Sequence, residues 1–281
     1  MVMSKEYKKS VDLFLFMGQS NMAGRGVSSS KWPETVPDLT EGAGYEFRAI
    51  SDPTKLYKIE EPFGFYEDKV EGMDDRRKKT GSMVTSFVNA YYRYANTPIV
   101  GIAASVGGTS IAKWQPGTPF LIDVEERLNL AIHYLESNNY IIRHKYMLWC
   151  QGESDGDIAR SKSDYKQYFE TMLGDLINKG IEKCFLVRIG NYNGNEDKSY
   201  SHIIDVQTEI AQTNNHVVMV STDFAAMKDR GLMKDAFHYY QQAYNEVGTK
   251  AGINAAYYVN NGKEPVMYDP QYDNLYYSRK G

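Results

Sequence analysis

The chain has little cysteine, no large excess of charge of either sign, no long apolar run, and none of the common metal or phosphate signatures. Two cysteines, Cys150 and Cys184, cannot build a disulfide framework. Both sit inside apolar, strand-like runs, which suits buried thiols in a reducing compartment. A formal net charge of -4 over 281 residues gives no field for nucleic acid or an anionic membrane. The one basic cluster, Arg76-Arg77-Lys78-Lys79, follows Asp74-Asp75 and reads as a solvated loop. No run approaches the roughly 20 apolar residues of a membrane span. The apolar run after the charged start MVMSKEYKKS is too short for a secretory leader and is followed by the wrong residues. These absences point to a soluble, cytoplasmic protein without nucleic-acid or membrane partners, and they say nothing of its oligomeric state. His133, His144, His202, His216 and His238 share no ligand spacing, and H-E-x-x-H, C-x-x-C and phosphate-binding glycine loops are missing, so neither metal nor cofactor is expected.

What the chain does have is a continuous buried strand, Val11 to Met17, running into the turn residues Gly18-Gln19-Ser20-Asn21. That places Ser20 just past the carboxyl end of a central strand, where open parallel sheets keep their ligands. A serine there is a helix N-cap or a nucleophile. From Val27 to Gly81 the pattern breaks at Trp32-Pro33, Val36-Pro37, Asp52-Pro53 and Glu61-Pro62. A hairpin of Tyr45–Ile50 with Leu56–Ile59 would sit above the sheet and wall a cleft.

Beyond it, strands at Pro98–Ala104, Ile141–Cys150, Lys183–Ile189 and His216–Ser221 alternate with helices at Ser82–Tyr94, Thr118–Ser137, Ser163–Lys179, Ser199–Gln212 and Tyr240–Val259. Thr118-Pro119 supplies a cap and first-turn proline, with Asp123, Glu125 and Glu126 near the positive end of that helix. The alternation predicts an α/β fold: a three-layer α/β/α sandwich around a parallel five-stranded sheet. One domain spans residues 1–281, with a core over 11–259 and an irregular, tyrosine-rich tail over 260–281.

Four loops at strand ends carry polar residues. Acyl transfer needs a nucleophile, a base, an acid to orient the base, and donors for the oxyanion. Ser20, His238 and Asp235 supply the first three, since Asp-x-x-His lets one turn of loop hold carboxylate and imidazole together. The donors would be the backbone N–H of Ser20, that of Gly107 or Gly108, and the Gln151 amide. The alternative is that these glycines only shape a tight loop and that Gln151 only braces one. Gly152-Glu153-Ser154-Asp155-Gly156 matches the G-x-S-x-G elbow. Its flanking carboxylates oppose a developing oxyanion, and the next helical pattern begins only near Ser163. Glu153 and Asp155 therefore brace the loops around Ser20, or one of them replaces Asp235 as the acid.

GQSNM at Gly18–Met22, VGGTSI at Val106–Ile111, QGESD at Gln151–Asp155 and Asp235-x-x-His238 together resemble the SGNH hydrolases, within them the sialate O-acetylesterase-like and acetylxylan esterase branch, carbohydrate esterase family 6. The resemblance runs from Val11 to about Ala256 and includes Trp114 and Gly117. It implies a flavodoxin-like fold and a metal-free serine esterase acting on acetylated carbohydrate. Ser20 is then the nucleophile, His238 the base and Asp235 the acid. Gly107 or Gly108 and Gln151 are then oxyanion donors, and Gln19 and Glu153 complete the oxyanion and substrate-binding set. The chain departs from the family in Cys150, where histidine is usual, and in Phe237, where a smaller aliphatic residue is usual. Two other functions share this fold: an esterase or thioesterase on a non-sugar acyl group, and a carbohydrate-binding relative without turnover.

Overall fold

A computed structural model describes residues 8–26, 31 and 33–280; Trp32 and most of the charged start lie outside the described residues. Strand β1 (Lys9–Gly18) is buried from Val11 onward because both of its faces are covered. Leu13, Leu15 and Met17 enter one apolar cluster, and Phe14 and Phe16 enter another on the opposite side of the sheet. A strand packed on two faces has no solvent side, which is why its sequence shows no alternation.

Helix α1 (Ser20–Ala23) follows, then β2 (Gly44–Phe47), β3 (Leu56–Lys58), α2 (Val84–Ala95), β4 (Ile99–Ser105), α3 (Pro119–Ser137) and β5 (Tyr140–Cys150). After these come α4 (Glu153–Asp157), α5 (Lys162–Asn178), β6 (Lys183–Val187), α6 (Ser201–Thr213), β7 (Val217–Ser221) and α7 (Gln241–Asn261). The expected strands and long helices are all present, displaced by a residue or two at their ends. Thr118 caps α3 ahead of Pro119, and Ser161 caps α5 through Asp164 N–H at 3.0 Å.

The sheet order is β3-β2-β4-β1-β5-β6-β7, and every neighbouring pair is parallel except β2 with β3. Helices α3, α5 and α6 cover one face and α2 with α7 the other, which makes three layers. The five expected strands run in flavodoxin-like order, with the change of winding direction between β1 and β5. Among the described residues no helix is long and apolar enough to cross a membrane.

Four expectations are corrected. The sheet has seven strands, not five, because the hairpin of β2 and β3 does not stand above it. Instead β2 pairs along β4, Gly44 opposite Ile99 and Glu46 opposite Gly101. That pairing supplies partners to a strand edge that would otherwise present a row of bare N–H and C=O groups. The tail is not irregular: β8 (Met267–Asp269) and β9 (Asn274–Tyr276) form a hairpin. Asp269 at its root meets the fully buried Arg188 guanidinium, Nη1 to Oδ2 at 2.6 Å, and supplies its counter-charge.

The third correction concerns the basic cluster within the stretch from Arg48 to Ser82, where buried and half-buried carboxylates hold the backbone and the apolar Ile59, Phe63 and Met73 enter the cores. Glu61 accepts from Ser82 N–H at 3.0 Å and Ser82 Oγ at 2.8 Å at the start of α2. Glu67 accepts from the N–H groups of Ile50 and Ser51, and Asp68 from those of Asp75 and Arg77. The basic cluster is therefore not simply solvated: Asp75 and Lys79 are buried, and Lys79 Nζ donates to Gly64 O. Lastly, Asp123 does not serve the positive end of α3. It turns inward, takes Arg127 Nε at 3.0 Å and Nη2 at 2.9 Å, and accepts Met73 N–H at 2.9 Å.

Asp123→Ala leaves a fully buried guanidinium with its charge uncompensated, and it is expected to cost about 3–5 kcal/mol. Urea denaturation of the variant beside the parent checks this; a loss below about 1 kcal/mol contradicts the role given to the pair.

Candidate active site

Ser20 lies at the topological switch of the sheet because β1 ends one residue before the turn. Gly18, at φ 141°, sits so close to β5 that a Cβ would come within 2.1 Å of Cys150 O. Gln19 N–H donates to that same carbonyl at 3.0 Å. Gln19, not Ser20, occupies the N-cap of α1, which removes the capping explanation for the serine. Ser20 is the first helical residue, and its N–H has no acceptor among the described residues.

His238 comes from the loop between β7 and α7. Its Nδ1 lies 2.9 Å from Asp235 Oδ2, while Asp235 Oδ1 accepts the backbone N–H groups of Phe237 (3.0 Å) and His238 (2.7 Å). Facing a carboxylate, Nδ1 carries the proton and Nε2 keeps its lone pair. Burial lowers the His238 pKa below its usual value, helped by nearby Arg25 and Lys234 and opposed by Asp235; the net lowering favours the neutral ring. Burial also raises Asp235, but the two backbone N–H groups and the His238 ring outweigh it and leave the carboxyl below its usual range.

Ser20, His238, Gly107, Gly108, Gln19 and Glu153 all line one cleft of about 450 Å³. The two glycines differ in role. Gly107 N–H is already donated to Asp75 Oδ1 at 2.8 Å, and that oxygen also takes Arg25 Nη2 at 2.7 Å. Gly108, at φ 71°, has an N–H without an acceptor among the described residues and open space where a Cβ would stand.

Gln151 is not in the cleft. It is fully buried, its amide donates to Thr109 O at 2.9 Å and Asp155 Oδ2 at 2.5 Å, and its oxygen accepts from Tyr165 at 3.2 Å. Of the two roles considered for it, the geometry gives it bracing of the loop and not oxyanion donation. Asp155 is equally committed, to Ile111 N–H at 2.8 Å and to Arg160. His238 Nδ1 is held by Asp235, not by Asp155. Ser154 also borders the cleft and, contrary to expectation, lies within a helix; α4 is only five residues long, with Glu153 and Asp155 in its first turn. Gln19 Oε1 accepts Gly152 N–H and Ser154 N–H, both at 3.2 Å, and so joins the two loops.

Glu153 Oε1 takes the Asn21 amide at 2.5 Å, and Oε2 is buried without a partner. Burial lifts its pKa to about 7, with the Asn21 hydrogen bond pulling the other way. Arg25, Asp75 and Asn21 were not singled out from the sequence. Nothing local marks them, since each acts through a partner at least 32 residues away.

Comparison with known proteins adds the following. A family model described as "Carbohydrate esterase, sialic acid-specific acetylesterase" matches residues 10–256. A crystal structure of a protein from Arabidopsis thaliana is similar at a TM-score of 0.67 and 20% identity, over 90% of this chain and 99% of that one. A carbohydrate acetylesterase from Xanthomonas citri is similar at a TM-score of 0.56 and 17% identity, over 92% of this chain and 60% of that one. At such identities the two structures establish a common fold. No curated protein matches the chain.

The Glu153 carboxyl makes stability depend on pH in a defined direction. Its folded pKa of about 7 exceeds the ordinary 4.5, so between those values the folded state holds a proton that the unfolded chain has released. Stability from this group therefore falls as pH rises through that window and levels off above about 7. Glu153→Gln is expected to flatten this part of the profile and to be the more stable protein near pH 8 in urea titrations, whereas a profile parallel to the parent's refutes the assignment.

Proposed function

The chain belongs to the carbohydrate esterase family of sialic acid-specific acetylesterases, and from that premise we propose that it removes acetyl groups from carbohydrate by a serine mechanism. The observation that carries this reading is the pairing of His238 Nδ1 with Asp235 at 2.9 Å, in the same cleft as a serine with an unengaged N–H. Ser20 Oγ attacks the acetyl carbonyl carbon while His238 Nε2 takes its proton. Asp235 keeps the tautomer that makes this possible and stabilises the imidazolium.

The carbonyl oxygen becomes an oxyanion, and the N–H groups of Ser20 and Gly108 receive it. A single such donor contributes about 2.7–4 kcal/mol in a comparable hydrolase. The intermediate collapses as His238 returns its proton to the departing sugar oxygen, leaving acetyl-Ser20. Water, activated by the same imidazole, then releases acetate. Gly108 is chosen over Gly107 because Asp75 already holds the Gly107 N–H. The acetylated carbohydrate is the partner of the site, and no cofactor enters any step.

Ser20→Ala is expected to lower turnover of a small acetyl ester on the order of 10⁴-fold or more, with the thermal midpoint within about 2 °C of the parent. Acetate release, followed by a coupled assay on acetylated xylan and acetylated sialic acid, measures this. Turnover equal to the parent's removes Ser20 from the mechanism, and equal preference for long-chain or thioester substrates removes the carbohydrate acetyl group.

A further inference from the structure

The nucleophile and the base sit on segments 218 positions apart (238 − 20), so some contact must fix one against the other. Asn21, next to Ser20, is completely buried and makes three hydrogen bonds. Its Nδ2 donates to Phe237 O at 3.0 Å, the residue preceding His238, and to Glu153 Oε1 at 2.5 Å. Its Oδ1 accepts from the buried Tyr244 hydroxyl of α7 at 2.6 Å. An asparagine side chain has two donor hydrogens and one carbonyl oxygen. Each is spent on a different segment: the base loop, the start of α4 and α7.

We infer that Asn21 is a positioning residue, whose amide holds the His238 loop in register with Ser20. The inference rests on the esterase reading and goes beyond it. Other links to that loop are Lys234 N–H to His238 O at 3.0 Å, Asn193 N–H to Ala236 O at 2.8 Å, the Met233–Tyr239 bridge, and Lys234 Nζ to Arg25 O just past α1. The first three fix the shape of the loop and its outer side, and the last ties Lys234, four positions before His238, to the chain after α1. The Asn21 amide is the link that joins the residue next to His238 directly to the residue next to Ser20. Glu153 and Tyr244 act through Asn21: with its carboxyl oxygen and its hydroxyl engaged, the amide cannot rotate to offer its own carbonyl to Phe237 O. Asn21→Asp is the sharpest perturbation, because it conserves shape while turning the donor toward Phe237 O and Glu153 into an acceptor.

Misplacing catalytic groups by about 1 Å costs on the order of 100-fold in rate. For Asn21→Ala and Asn21→Asp, kcat on 4-nitrophenyl acetate should therefore fall at least about tenfold while KM stays within about twofold. Tyr244→Phe removes only the acceptor-side restraint and should move kcat the same way by about two- to fivefold. It decides the matter if the Asn21 variants do not fold. A crystal structure of a folded variant should show the His238 ring displaced from Ser20 relative to the parent. Unchanged kcat, a change confined to KM, or an unmoved ring overturns the inference while leaving the esterase reading intact. A parent protein inert on every acetyl ester overturns both.

Discussion

Where β1 and β5 end side by side, the backbones approach so closely that only glycine fits, and the rest of the site depends on that approach. Gly18 lies against Cys150 O, Gln19 N–H donates to that oxygen, and Gln19 Oε1 then takes two N–H groups of the next loop. Two chain segments 132 positions apart (151 − 19) thus leave the sheet as one rim. Ser20 stands on one side of it and Glu153 on the other, both facing a single cleft. The seam coincides with the change of winding direction, where helices on either side of the sheet diverge and leave room for a ligand.

Around this seam the protein uses buried and half-buried carboxylates to fix its long loops. Glu61, Glu67, Asp68 and Asp123 take up backbone N–H groups of the long connection before α2, and through it Asp75 reaches Gly107. An unpaired buried N–H costs about 1–3 kcal/mol, so a carboxylate that satisfies several holds a loop as firmly as a patch of side-chain packing. The consequence for chemistry is a division of labour in the second glycine block. Asp75 ties down Gly107, while the Gly108 N–H has no acceptor among the described residues and, in the proposed mechanism, meets the acyl oxygen.

The five parallel strands, their order along the chain and the four polar loops were legible in the sequence because each rests on local signals: unbroken apolar runs, Thr118-Pro119, and the turn residues after Met17 and Cys150. What was not legible depends on partners distant in the chain. The hairpin of β2 and β3 carries ordinary strand signals, but only the bare edge of β4 decides that it extends the sheet. Gln151 follows a buried strand as a donor would, yet its amide points inward to Thr109 and Asp155. Asp74-Asp75-Arg76-Arg77 has the composition of a solvated turn, and nothing in it foretells that Asp75 reaches the neighbourhood of Ser20. Asn21 passed as a turn former, its three partners lying 132, 216 and 223 positions away.

The central claim is that Ser20 surrenders its proton to His238 across the rim of the sheet. A fluorophosphonate that reacts only with an activated serine tests it directly, with the adduct located by peptide mass spectrometry. The account predicts a single adduct on Ser20, formed quickly by the parent and lost in His238→Ala. An adduct on Ser154, or labelling of Ser20 that persists at the parent's rate without the imidazole, contradicts it.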